Sequence, residues 1–103
     1  MTWTETRRRQ QVLREVRAVA AVRLDGVLPW SDDYADAFAG PDDLFRDLAY
    51  FWRIQVEAQI DPGLDEYTLE ERRDDLYRRN EGVLRIIDAH RDAQRRREHE
   101  LAA

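Results

Sequence analysis

The sequence predicts an all-α fold: a small bundle of three main helices and one short helix, the C-terminal helix being long. Three observations carry this expectation. Two capping-box patterns stand ahead of apolar runs, Thr2 with Glu5 and Thr68 with Glu71. Helix-breaking punctuation falls at Gly26, at Gly40-Pro41 and at Asp61-Pro62-Gly63. Between these marks the apolar residues recur at helical spacing and show no alternation of the strand type.

The first helix is expected from about Thr4 to Leu24, with Gly26 as its stop. Its first half is a charged amphipath with Val12, Leu13 and Val16 on the apolar side. Its second half, Ala18 to Val22, is apolar all round and therefore expected to be enclosed by neighbours. Ser31 then serves as N-cap for a short helix, Asp32 to Ala39, on which Trp30, Tyr34 and Phe38 recur every fourth residue as an aromatic ridge that lids the core. Pro41 at a first-turn position, followed by Asp42 and Asp43 at the positive helix end, opens the third helix, which runs to about Ile60. Phe51, Leu44, Leu48, Trp52, Phe45, Val56, Ala49 and Ile60 fill about half its circumference, so it is the central helix, with Phe51 and Trp52 among the most buried residues. No proline follows Thr68, so the fourth helix is read as continuous from Leu69 to near Glu100. Its stripe Leu69, Leu76, Val83 and His90 has the spacing of a heptad seam. At 1.5 Å per residue such a helix spans roughly 48 Å and overhangs helices of roughly 30 Å.

The chain of 103 residues suits a single domain, residues 1–103, whose polar end, residues 95–103, is expected to fray. Without cysteine there is neither a disulfide framework nor a thiolate metal site, so the core alone must hold the fold. The start MTWTETRRRQ lacks the apolar run of a secretory signal, and no stretch approaches the length of a membrane span, so the expected location is cytoplasmic. All 17 Lys-plus-Arg positions are arginine, a bias pointing to a GC-rich genome and to bidentate pairing with carboxylates. The charge is uneven. Residues 1–24 set six arginines against two glutamates, residues 25–68 set two arginines against eleven acids, and the remainder balances nine against nine. The basic first helix and the acidic middle are thus expected to partner each other.

Candidate sites are few. Arg7, Arg8 and Arg9, extended by Arg14 and Arg17, could contact phosphate, which makes nucleic-acid binding one alternative. The acidic net charge of −5 and the lack of aromatic residues among these arginines weigh against it. Asp32, Asp33 and Asp36, then Asp42, Asp43 and Asp47, could ligate a hard cation in a metal-dependent enzyme, although acids at helix starts also answer the helix dipole. His90 on the stripe lacks an orienting carboxylate by local geometry, since Asp88 lies on another face, and His99 sits in the polar tail. Ser31, the only serine, is taken up as a cap. With no nucleophile elbow and no phosphate or dinucleotide loop, nothing in the sequence supports catalysis or a cofactor. Asn80 falls within the seam, where it either fixes register between helices or turns outward or caps a loop.

The segment from Tyr34 to Arg53, with Phe38-Ala39-Gly40, Asp43-Leu44, Leu48 and Phe51-Trp52-Arg53, resembles parts of small uncharacterised helical proteins of actinobacteria. The resemblance implies a bacterial cytosolic source and brings with it neither an activity nor site residues. The function expected from the residues is non-catalytic, that of a protein-interaction or scaffolding module. It would act as a homodimer through the first and fourth helices, with Leu76, Asn80, Val83, Ile87 and His90 at the interface and without membrane contact.

Overall fold

The computed structural model describes residues 2–59 and 63–102. Among the described residues there are four α-helices, α1 (Trp3–Arg23), α2 (Pro41–Gln59), α3 (Glu66–Arg79) and α4 (Glu81–Ala102), with a 3-10 helix at Asp32–Asp36 between the first two. The all-α bundle with a long C-terminal helix is what the sequence predicts. No helix among the described residues is long and apolar enough to cross a membrane.

The capping box at Thr2 is complete. The Glu5 N–H donates to Thr2 Oγ1 at 3.1 Å, and the Thr2 N–H donates to the Glu5 carboxylate at 3.2 Å. α1 ends at Leu24, which takes a left-handed conformation (φ 50°) and donates its N–H to the Ala20 carbonyl at 3.0 Å, so the chain reverses before reaching Gly26. The Arg85 guanidinium donates to the Leu24 carbonyl at 2.8 Å and ties this turn to α4.

α1 and α4 cross at close range. A Cβ on Gly82 would lie 2.3 Å from the Ala20 carbonyl oxygen, so only glycine lets the two backbones approach in this way. Around the crossing Val12, Val16, Ala20, Val83, Ile86 and Ile87 are buried. The apolar second half of α1 is not enclosed, however: only Ala20 turns inward, and Val22 is 84% exposed. One helix, α4, covers one side of this stretch, and among the described residues nothing encloses Val22 on the other.

Ser31 caps the 3-10 helix as expected, accepting from the Asp33 N–H at 3.2 Å. Both Ala37 and Phe38 donate their N–H groups to the Tyr34 carbonyl, which ends that helix short of Ala39. Tyr34 and Phe38 are buried, and Trp30 packs edge-on to Tyr34 at 5.9 Å, so the aromatic ridge forms part of the core. On α2 the buried line is Leu44, Leu48 and Trp52. Phe51 is only half-buried, because it faces the Arg17 guanidinium at 4.1 Å, and Ile60 and Asp61-Pro62 lie outside the described residues.

The stretch read as one helix from Leu69 is two. α3 starts at Glu66, capped by Asp65, which accepts from the Thr68 N–H at 2.8 Å; Thr68 and Glu71 therefore lie inside the helix and form no capping box. α3 ends at Asn80 (φ −117°, ψ 23°), whose side-chain amide donates to the Leu76 carbonyl at 2.9 Å. α4 restarts at Glu81 and keeps helical bonding through Ala102, across the stretch where fraying is expected from composition. Its buried residues all lie between Gly82 and Ile87; His90 still meets α2, and the polar stretch after it is largely exposed. The Cα radius of gyration is 15.8 Å, against about 13 Å for a compact chain of this length, so the outline is open.

Candidate docking groove

The arginines and carboxylates of the expected sites are largely consumed by the fold. Arg8 Nε donates to Asp36 at 2.9 Å and its Nη2 to the Asp33 carbonyl at 2.8 Å; the Asp36 hydrogen bond raises its pKa above the ordinary value. Arg9 pairs with Asp47 at 2.9 Å and Asp43 at 3.7 Å while lying over the Phe38 ring at 4.5 Å. The basic first helix and the acidic middle thus partner each other. Of the three candidate phosphate contacts only Arg7 stays outside an ion pair among the described residues, and it lies 5.9 Å over Trp3. Trp3, four residues earlier and 74% exposed, is the aromatic neighbour that sequence reading passed over.

Arg17 has no carboxylate partner among the described residues. Its Nε donates to the Leu13 carbonyl at 3.4 Å, and burial, then the charge of Arg14, lowers its pKa. Arg23 is paired with Asp25 at 2.8 Å. Asp43 also accepts from the Ala39 N–H at 3.0 Å, and among the described residues no three of His, Asp and Glu come together to hold a metal ion.

The seam assigned to a second copy is filled from within the chain. Leu76, Val83 and Ile87 are 2%, 2% and 3% exposed in the single protomer, and Asn80 bonds its own helix. His90 stacks on Phe45 of α2 with ring centroids 3.8 Å apart. Heptad spacing here serves intramolecular packing, because the break at Asn80 turns α4 onto α1 and α2.

One surface recess, about 880 Å³, is bounded by residues 3–14 of α1 alone, and a recess formed by a single convex helix is merely space between its side chains. A second one, of about 600 Å³, lies between two helices. Ala49, Trp52 and Val56 of α2 and Ile87 of α4 form its floor, with Arg46, Tyr50, Arg53 and Glu57 on one bank and Arg91 on the other. The groove exists because Ala49 is small and leaves space between α2 and the Ile87-to-Arg91 turn of α4. At Val56 it meets a narrow cleft between α2 and α3, lined by Gln59, Leu69, Arg73, Leu76 and Tyr77. The Tyr77 ring, 45% exposed, lies 5.6 Å from Trp52. The sequence signal for this surface is the series Arg46, Ala49, Arg53, Val56 at helical spacing, beside the exposed Tyr50. No family model, curated protein or solved structure matches the chain.

Proposed function

We propose that this protein is a non-catalytic protein-interaction module that docks a partner in the α2/α4 groove. The observation supporting this reading is the groove itself: an apolar floor with an exposed aromatic rim, continued onto α3, on a surface where no nucleophile and base converge. The bacterial cytoplasm is the setting this reading takes, supported by a composition free of cysteine and lysine. Homodimerisation through α1 and the Leu76-to-His90 stripe of α3 and α4 is not the preferred reading, because Leu76, Val83 and Ile87 are already buried in the protomer, and nor is nucleic-acid binding through Arg7, Arg8 and Arg9, because Arg8 and Arg9 already pair with Asp36 and Asp47.

Selection of a displayed peptide library on the immobilised protein tests the proposal, with the Ala49→Arg variant as counter-screen. Binders that are lost on the variant are expected. Failure to recover any, or recovery only of binders indifferent to position 49, removes the groove from consideration.

A further inference from the structure

The rim of the groove specifies what kind of partner it fits. Arg46, Arg53 and Arg91 border the main recess and Arg73 borders the adjoining cleft, whereas among the described residues Glu57 is the only carboxylate lining either. This is a cationic frame on a chain whose net charge is −5. Nor do internal pairs saturate it. Arg46 reaches Asp43 only at 3.9 Å and is 78% exposed, Arg53 bonds Glu57 at 3.2 Å yet is 73% exposed, and Arg91 makes no ion pair among the described residues.

Between the arginines the floor is apolar and elongated. It follows α2 from Arg46 to Glu57, roughly 16 Å at the helical rise, which suits three turns of a docked helix better than a compact small molecule. An apolar stripe on that helix would cover Ala49, Trp52, Val56 and Ile87, and carboxylates beside the stripe would meet guanidinium groups on both banks.

We infer, on the footing of the interaction reading above, that the occupant is an acidic amphipathic helix of a partner protein, its apolar face on the Ala49/Val56/Ile87 floor and its carboxylates on Arg46, Arg53 and Arg91. Nucleic acid would also seek arginine. It has no use for the aliphatic floor, and the exposed rings at Tyr50 and Tyr77 stand at its margins.

The test uses two labelled helical peptides with the same Leu/Phe face, one with glutamates and one with lysines beside it, read by fluorescence anisotropy at low and high salt. The glutamate peptide is expected to bind and to weaken with salt. The pair Arg46→Glu/Arg91→Glu should weaken it by about tenfold, or about 1.4 kcal/mol, and gain affinity for the lysine peptide. Both positions are outside the core, and Arg46→Gln/Arg91→Gln, expected to lose affinity without the gain, stands in should the charge reversal fail to fold. Equal binding of the two peptides by the unmodified protein would overturn the acidic assignment while leaving a docking groove. Binding of neither, with library binders in hand, also overturns it; binding of neither with an empty library overturns both readings. A single-stranded oligonucleotide that binds in place of the glutamate peptide, and is lost with Arg46 and Arg91, would mark a nucleic-acid surface instead.

Discussion

The α1/α4 crossing and the α3 side of the molecule are built on opposite principles. At the crossing two small residues, Ala20 and Gly82, let backbones touch, and the surrounding valines and isoleucines are almost wholly buried. On the other side α3 contributes a single buried residue, Leu76, and reaches α2 through the tilted contact of Tyr77 with Trp52. Close packing leaves no surface to bind with, whereas sparse packing leaves apolar floor and exposed rings within reach of a partner. On the proposed reading, stability and binding thus fall to different pairs of helices.

Trp52 lies where the two regions meet, so Trp52→Ala should have the largest effect, about 3 to 5 kcal/mol by urea denaturation. A loss below about 1 kcal/mol would place the indole outside the core. Gly82→Ala should follow at about 2 to 3 kcal/mol, since the added methyl must push α1 and α4 apart. If it proves neutral, the crossing is looser than the distance to Ala20 implies.

Two titrations should divide the regions more finely. Asp65 has its pKa lowered chiefly by the Thr68 N–H, so its contribution is present above the ordinary value of 3.8 and is lost as pH falls below it. Tyr34 has its pKa raised by burial, so its contribution is present below 10.0 and is lost as pH rises above that value. Hydrogen exchange should accordingly show acid loosening the N-terminal turn of α3 and alkali loosening the aromatic segment against α1; the reverse order would contradict the division. Smallest of all, Val22→Ser should change stability by less than about 0.5 kcal/mol, because this apolar residue already faces water. A larger loss would mean that something covers the outer side of α1.

Much of the fold is legible in local chemistry. The Thr2 box, the Ser31 cap, Pro41 at the start of α2 and the Leu44, Leu48, Trp52 line are each decided within a few residues, and the pairing of the first helix with the acidic middle follows from charge. What escapes is decided at longer range. The break at Asn80 hides behind the unbroken spacing of Leu69, Leu76, Val83 and His90, since periodicity records which side is apolar and not whether the axis bends. The neighbouring Asn80-Glu81-Gly82 is the signal that could have revealed it, an asparagine that caps and a glycine required by Ala20. Enclosure of Ala18 to Val22 fails for a related reason: composition cannot say how many neighbours a helix has. The groove is hidden because local spacing on α2 cannot show that α4 supplies the other bank.

The turn at Leu24 has a consequence for the order of events during folding. Its carbonyl is satisfied by Arg85, 61 residues further along, and the Ala20 contact with Gly82 is equally remote in sequence. Helical bundles usually assemble quickly because their contacts are local. Here the best-packed pair joins the first helix to the last, so a long loop must close before the core's main reward is collected. The rate-limiting step should be the arrival of α4 on a preformed α1, giving a slower collapse than helix content alone implies.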